Sequence, residues 1–206
     1  MSYFPMFIEL KGKCCLIVGG GKIALRKVEV LKDFGAQVVL IAPVILPEIK
    51  KIKGVVCREK CFEREDLEGQ ELVVAATDDQ ELNHQISEVC RKEKIPVNAV
   101  DQTEDCSFIF PAYLKEGEVV AAFSSGGQSP VITQYLKAEM QPVMTPRLGE
   151  LAACLGSLRK AVHQSVKTEE ARKKIYREIL QFGLNHDTIP SKEEIERIIE
   201  KYKSIS

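Results

Sequence analysis

The stretch Cys14-Cys15-Leu16-Ile17-Val18-Gly19-Gly20-Gly21-Lys22-Ile23-Ala24 decides the fold of this chain. Its first five residues form a continuous apolar run, which is typical of a strand covered on both faces. Three glycines follow directly, and apolar residues then recur at helical spacing as far as Phe34, before Gly35. A buried strand that passes through glycines into a helix predicts a Rossmann-type turn that binds a dinucleotide.

Apolar runs and helical patterns continue to alternate up to about residue 100. Further strands are predicted at 37–41, 55–58, 71–76 and 96–100, and an amphipathic helix at 79–92. Because strands that alternate with helices assemble into parallel sheets, this half is expected to be a doubly wound α/β domain.

The spacing Gly19-x-Gly21-x-x-Ala24 matches the dinucleotide fingerprint. Gly19 permits the tight turn, Gly21 lets the backbone approach the pyrophosphate, and Ala24 keeps the helix close to the strand. The helix would direct its N-terminal amides and the positive end of its dipole at the phosphates. The alternative is a glycine-rich turn that binds no ligand. The position of the glycines between a strand and a helix favours the dinucleotide site over this alternative.

The acidic residue that normally follows the second strand is missing. The fingerprint places Asp or Glu about 20 residues further on, where it binds the ribose hydroxyls, but this chain has Ile41-Ala42-Pro43. No arginine that would bind a 2′-phosphate stands there either, so this position does not discriminate NAD from NADP. The backbone at Pro43 and Val44 is expected to line the adenosine pocket.

Polar residues follow the fourth and fifth predicted strands, at the edge where ligands of open α/β sheets bind. Thr77 and Asp78 follow the fourth strand, and Asp101 follows the fifth. Thr77 and Asp78 are expected to contact the nicotinamide side of the cofactor, to cap the helix at 79–92, or to do both. Asp101 could accept the proton that leaves with a hydride; alternatively it is a loop aspartate bonded to its own backbone.

The pattern changes near residue 105. Two strands are predicted at 107–110 and 118–123, with a turn at 115–117 between them. A polar loop with Ser124, Ser125 and Gly126 follows, and its amides and hydroxyls could bind carboxylates or phosphate. The alternative for this segment is a flexible loop that only caps the next helix.

The rest of the chain is predicted to be helical. The first of these helices begins at Ser129-Pro130 and ends near residue 140. Further helices are predicted at about 147–165, about 168–182 and 191–203, the last with a capping box of Ser191 and Glu194.

The composition limits the possible partners. The chain has 206 residues with 29 basic and 30 acidic side chains, so no overall field attracts nucleic acid or an anionic membrane. No apolar run reaches the roughly 20 residues of a membrane span, and a signal-peptide pattern is missing, so a cytoplasmic protein is expected. The seven cysteines and three histidines are scattered, which predicts neither a disulfide framework nor a metal site. His84 and His163 are expected at helix surfaces or boundaries.

Several stretches of this chain occur together in one family. They are residues 5–7, 15–21, 24–27, 75–79 with Asn83, 98–101, 107–111 and 124–130. In these stretches the chain resembles the precorrin-2 dehydrogenase family, which includes the N-terminal module of siroheme synthases. The resemblance extends over nearly the whole chain and is strongest over residues 1–145.

The resemblance implies that precorrin-2 is oxidised to sirohydrochlorin with NAD as the acceptor, on the way to siroheme. It implies that Lys22, Ile23, Pro43 and Val44 bind the cofactor and that Asp101 is the catalytic aspartate. It also implies that the loop of Ser124, Ser125 and Gly126 lies beside the tetrapyrrole and that the protein is a homodimer. The expected division is an NAD-binding Rossmann domain at 1–112, a strand-plus-helix dimerisation segment at 113–146 and a helical domain at 147–206.

Two other functions stay open. Asp101 could also take protons from pyrrole nitrogens, so that the same chain inserts ferrous iron into sirohydrochlorin. A non-enzymatic module that senses NAD(H) would share the glycine turn and the β-α alternation. Such a module would leave the loop at 124–130 and the helical tail unexplained.

Overall fold

The computed structural model describes residues 3–186 and 188–203. The chain divides into two compact units between Phe110 and Pro111. None of the helices in these two described ranges is long and apolar enough to span a membrane.

The first unit is built on a parallel sheet of five strands in the order β3-β2-β1-β4-β5. The strands are β1 (Cys14–Val18), β2 (Gln37–Ile41), β3 (Val55–Arg58), β4 (Leu72–Ala75) and β5 (Val97–Ala99). Helices α1 (Lys22–Asp33), α2 (Pro47–Lys50) and α3 (Gln80–Glu93) connect them. The predicted Rossmann-type α/β fold is therefore confirmed, and all five strands end at one edge of the sheet.

The two faces of this sheet carry separate apolar clusters, because successive side chains of a strand point to opposite faces. Cys15 and Ile17 pack with Val28 and Leu31 of α1 on one face. Leu16 and Val18 pack on the other face, in the cluster that contains Ile86 and Cys90 of α3. Burial on both faces explains why β1 reads as a continuous apolar run.

One predicted strand of the sequence analysis is wrong. Residues 107–110 are not a strand; the hairpin begins only after Pro111, at β6 (Ala112–Glu116). The Ser107 amide donates to the Val97 carbonyl at 2.8 Å, and the Ser107 hydroxyl accepts from the Val97 amide at 2.8 Å. Phe108 and Phe110 pack against the apolar cluster of the first unit. The apolar pattern of this segment therefore reflects burial rather than strand pairing.

The second unit begins with an antiparallel hairpin of β6 and β7 (Val119–Phe123). Glu116 pairs with Val119, so the loop contains only Gly117 and Glu118 and is shorter than the predicted turn at 115–117. Gly117 has a φ of +59°, a conformation that glycine adopts without strain.

Four helices complete the second unit, namely α4 (Pro130–Met140), α5 (Pro146–Ser165), α6 (Glu169–His186) and α7 (Lys192–Lys203). The predicted caps are present: the Ser129 hydroxyl accepts from the Ile132 amide, and Ser191 and Glu194 form the capping box. Helix α6 continues four residues beyond the predicted end at 182, to His186. Ile175, Ile179, Ile195 and Ile198 form much of the core between α6 and α7.

Candidate functional site

The turn after β1 is tight because it packs against the turn after β4. Gly19 has a φ of +125°, and a Cβ at this position would lie 2.2 Å from the Ala76 carbonyl oxygen. The Gly19 amide donates to the Ile41 carbonyl at 2.8 Å. Any other residue at Gly19 would therefore meet both backbone strain and a steric clash.

Gly20 has a structural role that the two-glycine fingerprint does not contain. A Cβ on Gly20 would lie 2.0 Å from the Val44 carbonyl oxygen, and the Gly20 carbonyl accepts from the Leu46 amide at 3.0 Å. The turn after β1 and the turn after β2 therefore touch through backbone atoms. The only sequence signal for this contact is the third consecutive glycine.

Gly21 differs from its two neighbours because the space next to it is open. A Cβ built on Gly21 meets no atom within 4 Å. Gly21 is also the N-cap of α1, whose N-terminus has no side-chain cap and no acidic residue in its first turn. Uncapped amides at a helix N-terminus are an anion site, so this turn fits the pyrophosphate of a dinucleotide.

The predicted cofactor residues lie around this turn. Lys22 and Ile23 are exposed in the first turn of α1, and Pro43 and Val44 are exposed directly after β2. Val44 is 81% exposed although it is apolar, so its side chain contributes nothing to the core. The structure thus brings these four residues to the carboxyl edges of the adjacent strands β1 and β2.

Thr77 is fixed in place after β4 by the buried side chain of Asn83. The Asn83 amide oxygen accepts from the Thr77 amide at 3.2 Å and lies 2.7 Å from the Thr77 hydroxyl oxygen. The Asn83 amide nitrogen donates to the Thr77 carbonyl at 3.1 Å. The N-cap of α3 is Asp79, whose carboxylate accepts from the Leu82 amide at 3.0 Å. Asp79, and neither Thr77 nor Asp78, is thus the N-cap, although the Thr77 hydroxyl accepts from the Asp79 amide at 3.2 Å and so supports the start of α3. Asp78 lies exposed at the edge of the sheet.

Asp101 lies in a turn directly after β5. The Gln102 amide donates to the Ala99 carbonyl at 3.4 Å, and Asp101 has a φ of +61°. Within the described part of the chain, Asp101 and Lys94 are the non-glycine residues with positive φ. An aspartate tolerates this region better than most residues, but at some cost in free energy.

The carboxylate of Asp101 is exposed, and it makes no hydrogen bond to any residue in the described ranges. The alternative in which Asp101 bonds to its own backbone is therefore not what the structure shows. Asp101, Thr77 and Gly21 follow the neighbouring strands β5, β4 and β1. Their positions form a row along one edge of the sheet.

Lys27 adds a cation that the sequence analysis did not assign. Its ammonium lies 3.7 Å from the centroid of the Phe110 ring. Burial lowers the pKa of Lys27, while the charges of Cys106 and Asp101 act in the opposite direction. Residues 24–27 belong to the family stretches, and this is the one signal in the sequence that singles out Lys27.

Ser124, Ser125 and Gly126 belong to the second unit, in the loop between β7 and α4. The Ser125 hydroxyl accepts from the Ser129 amide at 2.9 Å and donates to the Ser129 carbonyl at 3.1 Å. The Ser124 hydroxyl accepts from the Gly126 amide at 3.0 Å. These hydroxyls therefore hold the shape of the loop.

Comparison with known proteins finds a matching family model and several related siroheme synthases. Residues 6–112 match the family model described as "Putative NAD(P)-binding". The siroheme synthase of Thioalkalivibrio sulfidiphilus is 38% identical over 184 residues, which are 88% of this chain and 38% of that protein. The siroheme synthase of Ectopseudomonas mendocina is 35% identical over 204 residues, or 98% of this chain and 44% of that protein.

A solved structure named SirC, precorrin-2 dehydrogenase, has a TM-score of 0.80 at 23% identity and covers 98% of this chain and 100% of its own. At this identity the likeness supports the fold. The chain spans about two fifths of the length of the siroheme synthases that it matches. By the match of residues 6–112, this chain belongs to the NAD(P)-binding family of that model, and it is a relative of the siroheme synthases.

Proposed function

We propose that this chain is a dehydrogenase that oxidises precorrin-2 to sirohydrochlorin with NAD. The observation that carries the proposal is the exposed carboxylate of Asp101, on the same sheet edge as the open, uncapped turn at Gly21. The names of the related siroheme synthases and of SirC support the substrate.

The cofactor would be held mainly by backbone. The first-turn amides of α1, with Lys22 and Ile23, bind the pyrophosphate, because the space at Gly21 admits it. Pro43 and Val44 contact the adenosine, and Thr77 and Asp78 lie on the nicotinamide side. NAD held in this way would supply the hydride acceptor for the reaction.

Asp101 is proposed to accept the proton that leaves the substrate. Dehydrogenation of a carbon–carbon bond removes one hydride and one proton, and a carboxylate beside the site is a suitable general base. The oxygens of Asp101 are available for this step, since no hydrogen bond within the described ranges engages them. Lys27 contributes positive charge near Asp101.

The loop of Ser124, Ser125 and Gly126 is proposed to bind carboxylates of the tetrapyrrole. Precorrin-2 carries eight carboxylates, whereas the net charge of this chain is −1, so local donors must hold it. The hydroxyl of Ser125 is engaged with Ser129. We therefore expect the contacts to come from loop amides other than those of Gly126 and Ser129, which the two serine hydroxyls already engage.

The partner is proposed to be a second copy of the chain, bound through the predicted dimerisation segment at 113–146. Helix α4 in this segment contains no buried residue. Val131, Ile132 and Tyr135 are 77%, 54% and 60% exposed. An apolar helix face that its own chain leaves uncovered is typical of a protein interface.

One spectrophotometric assay tests the activity. Precorrin-2 is incubated with the purified protein and NAD, and in parallel with NADP, and formation of the reduced nicotinamide is followed. We expect turnover with NAD and loss of turnover in Asp101→Asn. If NADH binds but precorrin-2 is not consumed, the chain is a nucleotide-sensing module and the proposal is wrong. Adding ferrous or cobalt ion to sirohydrochlorin in the same cuvette tests chelation.

A further inference from the structure

The loop that carries Asp101 is tied to α3 through a buried carboxylate. Asp105 ends a 3₁₀ turn at Thr103–Asp105 and is only 4% exposed. His84 Nδ1 of α3 lies 2.9 Å and 3.0 Å from the two oxygens of Asp105. Arg91 Nη1, also on α3, is 3.8 Å from the same carboxylate. A buried carboxylate needs such partners, because burial without them is costly.

The backbone of this loop is bound to the same helix. The Ser87 hydroxyl donates to the Asp105 carbonyl at 2.5 Å, and Arg91 donates to the Glu104 carbonyl. The Gln102 side-chain amide donates to the Gln80 carbonyl at 3.1 Å. Hydrogen bonds to α3 therefore hold Gln102, Glu104 and Asp105, and Gln102 is the residue directly after Asp101.

The turn around Asp101 is closed from inside by Cys106. The Cys106 thiol lies 3.1 Å from the Ala99 carbonyl oxygen and 3.3 Å from that of Gln102. Asp101 itself contributes no side-chain hydrogen bond within the described ranges and occupies a strained φ of +61°. Strained residues persist only where their surroundings hold them, and here the surroundings are the contacts of residues 102–106.

We infer that His84 and Asp105 are a positioning pair, which holds the loop so that the Asp101 carboxylate stays at the edge of the sheet. This inference rests on the proposed function, because it assigns the pair to the same proton-accepting step. His84 is thus more than the surface residue that the sequence analysis expected, although it is exposed.

The charge of His84 makes the pair sensitive to pH. The hydrogen bond and the charge of Asp105 raise the pKa of His84, and Glu88 and Glu81 on α3 act in the same direction. Arg91 faces Asp105 from the same helix. Because the pKa of His84 is raised on folding, the charged bond is fully present below the unfolded pKa. It is lost as the pH rises through the folded pKa.

The test uses His84→Ala, His84→Gln and, as a matched control on the same exposed stretch of α3, Gln85→Ala. Hydrogen exchange of the Gln102 and Cys106 amides reports the loop directly, and kcat, KM for NAD and the pH profile report its effect. We expect His84→Ala to accelerate this exchange and lower kcat about ten- to a hundredfold, with KM for NAD unchanged. His84→Gln should restore both through its amide donor and flatten the pH dependence, and Gln85→Ala should match wild type.

The inference is overturned if His84→Ala leaves loop exchange and kcat at wild-type values, or if exchange rises equally throughout the first unit. Asp105→Asn, which keeps one carbonyl acceptor, gives a second variant should His84→Ala fold poorly. If the wild-type protein does not oxidise precorrin-2, the proposed function fails. The exchange experiment still decides whether the pair holds the loop.

Discussion

Replacing Asp101 should separate the chemistry of this residue from its backbone conformation. Its φ of +61° lies in the left-handed region, where an L-residue loses about 1–2 kcal/mol relative to its preferred conformations. Glycine avoids this loss, but its greater conformational freedom in the unfolded chain destabilises the folded variant by about 0.5–1 kcal/mol relative to alanine. We therefore expect Asp101→Gly to be more stable than Asp101→Ala by about 1 kcal/mol, or about 2–4 °C in Tm.

Activity should follow a different order from stability. Asp101→Gly, Asp101→Ala and Asp101→Asn all lack the carboxylate, so each should oxidise precorrin-2 about 10²–10⁴-fold more slowly. Asp101→Asn should keep wild-type stability, since asparagine tolerates the left-handed region as aspartate does. Binding of NAD should persist in all three variants, because the turn at Gly21 is unchanged.

Lys94 supplies a matched control for the backbone effect. It has a φ of +59° at the end of α3, and it is exposed. Lys94→Gly should raise Tm by a similar amount and leave turnover unchanged. Thermal unfolding by circular dichroism and the precorrin-2 assay measure the two effects. Equal stability of Asp101→Gly and Asp101→Ala would refute the strain argument, and full turnover in Asp101→Asn would refute the role in proton transfer.

Three further outcomes are expected. Gly21→Asp should fold, since a Cβ there meets no atom within 4 Å, but should lose NAD binding through added charge at the pyrophosphate; unchanged affinity by calorimetry would contradict this. Burial raises the pKa of Asp66, but hydrogen bonds from Lys60 and from the Glu63 amide bring it below its ordinary value. Asp66 therefore stabilises the fold above its unfolded pKa of about 3.9, and this stabilisation is lost as the pH falls through the folded pKa. Asp66→Asn should lower the free energy of unfolding by about 1–3 kcal/mol at neutral pH. Measured by urea denaturation, this free energy should also fall less steeply at acid pH than in the wild type; an unchanged pH dependence would count against the assignment. Tyr135→Glu, at a side chain 60% exposed on α4, should give monomers in sedimentation velocity, and a persistent dimer would place the interface elsewhere.

The fold could be predicted from the sequence where a local pattern has one physical meaning. The apolar run at 14–18 must be covered on both faces, and the helix pattern after it closes the first β-α unit. The segment at 107–110 has an apolar pattern with more than one physical meaning, and the strand that it predicts is absent. Its Ser107 pairs with Val97 through a side-chain hydroxyl as well as the main chain. No periodicity shows which partner a short apolar segment finds.

Site residues that directly follow a strand could be predicted from the sequence. Contacts between elements that are distant in the sequence could not. The fingerprint marks Gly19 and Gly21, but the contacts that require glycine at 19 and 20 come from other turns, the Ala76 carbonyl after β4 and the Val44 carbonyl after β2. Lys27 meets Phe110 because Phe110, far along the chain, packs against the apolar cluster that contains Val28 and Leu31 of α1. Such contacts depend on the order of strands in the sheet, which a single sequence does not state.

Asp101 is a residue for which the sequence and the structure each supply part of the argument. The sequence allowed either a base or an aspartate that bonds its own backbone, and the structure shows a side chain without such a bond in a conformation that opposes stability. Glycine or asparagine would satisfy the same turn with less or equal strain. A residue that gains nothing locally, yet is held by Cys106 and by the attachment of Asp105 to α3, is best explained by the chemistry of its carboxylate. The strain at Asp101 is therefore itself an argument for the proposed dehydrogenase site.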